Sequence, residues 1–550
     1  MSYVVAQPPA IAAAATELAG IGSALSEATA AAAGPTTAIL SAAADEVSTA
    51  IAQLLGTFGA EYQGISTQLA AFHAQIAQRL ATVANYYINA EEINNAALVE
   101  EATAGLYSPN SPPTAPAVFN DYVAIAMGGT GTPIPSTSYL DAVNTLYIQH
   151  IAPGAIAKAL FTPEQLYPIT GVKSLPFQTS VQEGLKILDI SIWNEINAGN
   201  HVTVFGYSQS AVIASLEMQH FISLGPNAPD PSQINFILTG NEMNPNGGIL
   251  ARIPGLNIAS LGLPFYGATP DNPYYTTTYT LEYDGFADFP RYPLNVLSDV
   301  NAVFGILTVH RTYPDLTPEQ IASATLLPTE GPTTGTYYMI RTENLPLLDP
   351  VRAIPVIGEP LAALVQPDLK VLVNLGYGDP NYGYSTSPAN VPTPFGLFPD
   401  VSLQVVADAL VAGTHQGIND FGAALPTALS TTPQIAPLEF PPYVQSVLPP
   451  APPPMPATPI NIANTLASVV STGYSVLLPT ADIGLGFVTS LPAYNLTLFL
   501  SQLAQGDLRA AIELPLAATF GLGALGGMIE FIAVMEAAAE IAQDLQSLYL

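Results

Sequence analysis

The chain has no cysteine. Disulfides and thiolate chemistry are therefore excluded, and the redox compartment leaves no mark on the sequence. Positive charge is scarce as well: 11 Lys and Arg stand against 42 Asp and Glu, a formal net charge of −31. A nucleic-acid partner needs a basic face, and this composition provides none. Electrostatic docking on anionic lipid is excluded on the same ground. The start, Met1-Ser2-Tyr3-Val4-Val5-Ala6-Gln7-Pro8-Pro9, lacks the basic region that opens a cleavable signal peptide. A long unbroken apolar run is also missing. The best stretch, 514–534, contains Pro515, several glycines and Glu530, so no membrane-spanning helix is expected. What is abundant is apolar: 49% of residues are hydrophobic and only 10% charged, with 52 Pro and 42 Gly. Such surfaces call for a partner, a lipid phase or a lipid-like substrate. A length of 550 residues allows about three or four domains.

The stretch 201–214 organises the middle of the chain. His201-Val202-Thr203-Val204-Phe205 reads as a strand, Gly206-Tyr207-Ser208-Gln209-Ser210 as a tight turn, and Ala211-Val212-Ile213-Ala214 as the start of a helix. This is the nucleophile-elbow pattern G-x-S-x-G with Ser210 in the last position. A reversal from strand to helix in so few residues strains the serine backbone. It also brings strand and helix so close that only small side chains fit two positions either side. The backbone N–H of Gln209 faces the same point as Ser208 Oγ and is a candidate oxyanion donor.

Upstream, Tyr122–Met127 reads as a buried strand followed by Gly128-Gly129-Thr130-Gly131-Thr132-Pro133. The Walker spacing and its lysine are absent, so a phosphate cradle is not indicated. An oxyanion loop fits better, with Gly129 or Thr130 as donor. Downstream, 235–239 and 279–283 read as strands. Residues 250–276, rich in Pro, Gly and aromatics, suit equally a lid or acyl-chain groove and a long surface loop. Two aspartates, Asp284 and Asp288, follow the strand at 279–283. Of six histidines, His310 and His415 follow them in the order Ser…Asp…His of an α/β-hydrolase, and His415 lies beyond the expected sheet, which leaves His310. Asp288 is favoured as the acid because Gly285-x-x-Asp288 closed by Pro290 resembles an acid loop; Asp284 is the alternative and Glu242 a third choice. An amphipathic stretch over 294–307 precedes His310.

Residues 8–90 are Ala-rich and read as two helices, 10–32 and 37–90, broken at Gly34-Pro35. Apolar residues run nearly all round both, so a hairpin of this kind needs a helical partner or the rest of the chain. Met1-Ser2-Tyr3-Val4-Val5-Ala6, the run Ala12–Gly22, Pro35-Thr36-Thr37 and Ala44-Asp45-Glu46-Val47-Ser48 resemble the N-terminal domain of the mycobacterial PE family, although Pro8-Pro9 stands where the family has Pro-Glu. The resemblance implies a helical hairpin, a PPE-family partner, a type VII secretion chaperone, and export to the surface or outer envelope. The family's export signal matches Tyr87 and Glu91.

A second resemblance covers about 118–395. Met127–Pro133, Gly206–Ala211, Asn244-Pro245-Asn246-Gly247-Gly248, Tyr283–Pro290, Val309-His310, Leu345–Pro350 and Gly376-Tyr377-Gly378-Asp379-Pro380 resemble the PE-PPE domain. That domain is an α/β-hydrolase related to cutinases. The resemblance implies ester hydrolysis on acyl-ester or lipid substrates without metal or cofactor; some relatives are acyltransferases that build envelope glycolipids.

The expected architecture is an α/β-hydrolase preceded by an α-helical hairpin. Its spans are a hairpin at 1–93, a linker at 94–117, the hydrolase at 118–395, a Pro-rich linker region at 396–460 and a helical region at 461–550. The expected activity is that of a secreted or surface serine esterase with Ser208, His310 and Asp288, favouring medium-chain acyl groups and contained within 118–395. An acyltransferase, or a non-catalytic surface protein, is the alternative.

Overall fold

The computed structural model describes residues 119–171, 174–430 and 453–549, with part of the segment between 20 and 63. It divides into two compact units, Met1–Pro116 and Ala117–Leu550.

In the first unit, residues 28–37 are helical, so the break expected at Gly34-Pro35 falls after Thr37 instead. The Thr36 and Thr37 hydroxyls donate to the carbonyls of Ala32 and Ala33 at 2.6 and 2.7 Å, which supports the last turn across the proline. Gln63 Nε2 donates to Thr29 O at 3.3 Å, and Gly56 lies close against Thr37 O. The described residues Gly56 and Gln63 thus meet this helix in reverse order, Gly56 at its end and Gln63 near its start. None of the described residues of this unit is buried. Tyr87, Glu91 and the linker at 94–117 lie outside the described residues.

The second unit is built on a sheet of seven strands. In chain order its strands are β1 (Tyr122–Ala126), β2 (Ile156–Ala159), β3 (His201–Tyr207) and β4 (Ile234–Thr239). After a short hairpin of β5 (Asn257–Ile258) and β6 (Leu263–Pro264) come β7 (Tyr275–Leu281), β8 (Thr325–Leu326) and β9 (Gly335–Ile340). The order across the sheet is β2-β1-β3-β4-β7-β9-β8, parallel throughout except for β8. Parallel strands covered on both faces read as apolar runs, and β3 and β4 do: Val202, Val204, Phe205, Ile234, Phe236, Ile237 and Leu238 are fully buried. Helices α1 (Phe177–Asn197) and α2 (Gln209–Leu224) cover one face, packing Leu188, Ile192, Met218 and Phe221 with Val204 and Phe236. Tyr147, Tyr279 and Tyr313 close the other face over Phe205 and Ile237. The strand order reverses between β1 and β3, and in open parallel sheets a site forms at the carboxyl ends beside such a reversal.

One feature departs from expectation and two decide what the sequence left open. The stretch expected as linker, 396–460, carries a 28-residue helix, α5 (Leu403–Ser430), on α4 (Gly358–Asn374). Gly413 and Gly417 allow this approach: a methyl at Gly417 would lie 2.1 Å from Leu364 O. Second, residues 250–276 are not a surface loop; Leu250, Ile253, Leu256, Ile258, Leu261 and Phe265 are buried. Third, the C-terminal helices share the sheet's core. These are α6 (Pro459–Ser475), α7 (Leu477–Val488), α8 (Ser490–Ala504) and α9 (Leu508–Gln546). Leu522, Leu525 and Met528 of α9 belong to the cluster that holds Val204 and Phe236, and Gly521 lies against the ring of Phe395. The helix runs unbroken through Pro515. By length and composition alone, 459–504 and Leu508–Gln546 could each cross a membrane; the most apolar window is 11% buried in the first and 50% in the second.

The helix before His310, which we number α3, spans Val296–Thr308. Asn295 caps it by accepting the N–H of Ser298.

Candidate active site

Ser208 sits between β3 and α2 with φ 57° and ψ −125°, a region that costs a non-glycine residue of order 1–3 kcal/mol. Its neighbours make that turn affordable. A methyl at Gly206 would lie 2.7 Å from Ser210 O and 2.8 Å from Ala211 Cα, so strand and helix touch there as the motif requires. Ser210 is fully buried, and its hydroxyl accepts the N–H of Tyr207 at 2.8 Å, which a glycine could not do.

His310 Nε2 lies 2.8 Å from Ser208 Oγ, and Nδ1 lies 2.8 and 2.9 Å from the two oxygens of Asp284. The tautomer serving both neighbours has Nδ1 donating to Asp284 and Nε2 accepting from the serine. The imidazole is 4% exposed, stacked on Tyr207 at 5.5 Å and met edge-on by Phe286 at 4.8 Å. Asp284 also accepts the Tyr313 hydroxyl at 2.7 Å and the Phe286 N–H at 2.9 Å, so its charge is fully hydrogen-bonded in a dry place.

The favoured acid, Asp288, is therefore corrected to Asp284. Residues 284–288 close a turn in which Asp288 N–H donates to Asp284 O. The turn sends the Asp288 carboxylate back to the Tyr283 N–H at 3.0 Å. Burial pushes its pKa well up; that N–H and the buried Arg252 act against the rise. The third choice, Glu242, is also not the partner of His310. Its Oε1 lies 3.5 Å from Ser208 Oγ, and burial raises its pKa to about 7, with His310 opposing and Asp284 adding to the rise.

The structure brings the expected oxyanion residues to Ser208. A methyl at Gly129 would lie 3.1 Å from Ser208 Cβ, so that backbone rests on the nucleophile. Thr130 shares a cavity with Ser208, His310 and Tyr207. The Gln209 N–H is at the free start of α2, where the helix ladder leaves donors unused. The Gln209 side chain donates to Gln165 O at 2.9 Å and accepts Ser180 Oγ at 2.8 Å, which fixes the helix start. Glu164, unnoticed in the sequence, is fully buried nearby; burial first, and Glu242 to a lesser degree, raise its pKa to about 8, against the Thr162 hydroxyl. No spacing marks it, because only the fold brings 164 next to 242.

A second cavity adjoins the first. Both are walled by Leu166 and Phe286, and Glu242 lines the second. Its other walls come mainly from 249–265, where an acyl groove was one of the two expectations, and from α9.

One set of metal-capable side chains stands apart. Asp189, Glu217 and His220 bring ligand atoms within 4.8 Å of one another. Glu217 and His220 lie about 13 and 18 Å along α2 from Ser208, at 1.5 Å per residue, so they take no part at the serine. Burial raises the pKa of Glu217 to about 9, with Asp189 adding to the rise.

A parallel sheet, a strained serine between strand and helix, and a histidine and aspartate arriving later in the chain define an α/β-hydrolase fold with a serine-type site. Comparison with known proteins narrows this. Residues 4–94 match the model of the PE family and residues 153–378 that of the PE-PPE domain. In Mycobacterium tuberculosis strain H37Rv, the uncharacterized PPE family protein PPE28 is 45% identical over 89% of this chain and 80% of its own length. Esterase PE16 is 49% identical over 72% and 73%, and PE family protein PE3 is 46% identical over 82% and 93%. Among solved structures, a cutinase-like protein from Cryptococcus sp. is 18% identical, with a TM-score of 0.23 over 32% of this chain and 82% of its own. The chain belongs to the PE family and carries a PE-PPE domain.

Proposed function

We propose that the protein is a serine hydrolase of carboxylic esters. The observation that carries this reading is the hydrogen-bonded line Ser208–His310–Asp284 beneath a loop that can hold an oxyanion. The esterase name of one relative supports it. Ser208 Oγ attacks the ester carbonyl while His310 Nε2 takes its proton. Asp284 holds the ring and stabilises the imidazolium. The Gln209 N–H and the backbone or hydroxyl at Gly129 and Thr130 receive the oxyanion. His310 returns the proton to the departing alcohol, and water then releases the acid by the same route. The test is labelling by a fluorophosphonate probe: Ser208 is modified in the wild type, and Ser208→Ala is not labelled. A folded wild type that takes no label defeats the reading.

In the same reading the N-terminal hairpin serves export and docking to a PPE-family partner. None of its described residues is fully buried, which supports a partner. Tyr87→Ala is expected to leave the protein cell-retained in a host with type VII secretion; unchanged export would remove this role.

A further inference from the structure

We propose that α9 and the end of α7 complete a binding site for the acyl chain of the ester, and that side chains of α9 set the chain length accepted. This rests on the ester-hydrolase reading for its substrate, but the site itself is argued from the cavity.

The second cavity is narrow, about 60 Å³, and its lining is almost wholly hydrocarbon. Ile258, Leu261 and Phe265 form one wall; Leu522, Leu525 and Ile529 of α9 form the facing one. Two polar side chains that could hold a ligand border it. Tyr167 is already engaged, its hydroxyl donating to Asp482 at 2.9 Å. Glu242 lies at the end nearest the nucleophile, 3.5 Å from Ser208 Oγ. A fitting occupant is hydrocarbon along its length and polar only where it reaches Ser208. An acyl chain with its carbonyl at the serine meets both demands, whereas a sugar or peptide would leave its polar groups unpaired against these walls.

The C-terminal helices around this wall are fixed rather than laid loosely on the sheet, α7 and α8 by direct contacts. Gly486 of α7 meets Ile258, since a methyl there would lie 2.9 Å from Ile258 Cγ2. Ser260 Oγ donates to Asp482 O at 2.7 Å, and Tyr494 OH donates to Pro254 O at 3.2 Å. All three contacts tie the 250–265 segment to the C-terminal helices. Those helices lie outside residues 153–378, so the length limit would be a property this chain adds to its PE-PPE domain. The span 118–395 alone, expected from sequence to suffice, lacks about a third of the cavity's wall.

The test uses the full-length chain and p-nitrophenyl esters of two to twelve carbons. Wild type is expected to gain about fourfold in kcat/KM per added methylene until the cavity is full. Ile529→Trp fills the cavity and should lower kcat/KM for the eight-carbon ester at least tenfold, leaving the two-carbon ester within twofold. Ile529→Ala, which only empties space, should move the optimum to longer chains. Val470→Trp, on a 71% exposed position, should leave the profile as in wild type. Binding of dodecanoate by calorimetry supplies a readout independent of turnover. If no ester is turned over but dodecanoate binds and Ile529→Trp weakens it, the hydrolase reading fails and the site stands. If esters are turned over and both Ile529 variants keep the wild-type chain-length profile, the site is overturned and the hydrolase reading stands.

Discussion

The sheet and the C-terminal helices draw on the same apolar residue types and use them in opposite ways. In β4 five of six residues are buried, because helices cover one face of the sheet and aromatic side chains the other. In α6 and α7, Ile460, Val470, Tyr474 and Val488 are each 68–73% exposed. α9 is held on the hydrolase core along its middle, α7 and α8 touch that core on one side only, and α6 to α8 keep an open apolar face. Hydrophobic composition therefore reports that a segment wants burial, while the number of neighbours the topology supplies decides whether it is met. The tightly surrounded half should respond sharply to small changes, and the loosely surrounded half should absorb them.

The largest effect is expected at the carboxyl ends of the sheet. Asp284→Asn keeps the shape but favours the wrong imidazole tautomer, and should cost about 10⁴ in kcat while the protein stays folded. Asp288→Asn should lower Tm through the Tyr283 and Arg252 contacts and leave kcat within about tenfold. Steady-state rates and melts of both purified variants check this; the reverse pattern would return the acid role to Asp288.

Glycines sharpen the contrast. Gly206→Val drives a side chain into Ser210 O and should destabilise by about 3 kcal/mol or more. Gly484→Ala, in α7 with nothing within 4 Å of the new methyl, should stabilise by about 0.5–1 kcal/mol. Equal losses in denaturant melts would mean the helices are packed as tightly as the sheet.

A gentler probe is pH. Glu242, Glu164 and Asp299 have folded pKa values raised to about 7, 8 and 8, in each case first by burial. Between the ordinary carboxyl range and those values the folded state holds more protons than the unfolded one, so stability falls as pH rises. Each group contributes at most about 1.4 kcal/mol per pH unit inside its window. Tm should therefore decline from pH 5 to pH 8, and Glu242→Gln should flatten the part below pH 7. A Tm that rises across this range would contradict the buried carboxyls.

The pairing of Ser208 with His310 was legible: an elbow needs small residues at fixed offsets, and of the two histidines after the candidate aspartates only His310 falls within the expected sheet. Strands β1, β3 and β4 and the end of β7 were legible from apolar runs, β2, β8 and β9 were not, and the helix before His310 was legible from its amphipathic period. The acid was not. Asp284 and Asp288 follow the same strand, and one turn of backbone decides which faces the imidazole. Asp284-Gly285 is a common turn pair, and Asp284 does accept the turn's Phe286 N–H while also serving His310. The C-terminal wall of the second cavity was illegible for another reason: no local pattern pairs Leu522 with Leu261, more than 250 residues away.

Tyr313 joins the sheet to the site through one oxygen. Its hydroxyl accepts the N–H of Leu281, at the end of β7, at 2.9 Å and donates to Asp284 at 2.7 Å. The Leu281 amide can exchange its hydrogen with solvent only when that oxygen lets go, and letting go also strips Asp284 of a donor. The exchange rate of this single amide is thus a clock for how often the site comes apart in the resting protein, readable without any substrate.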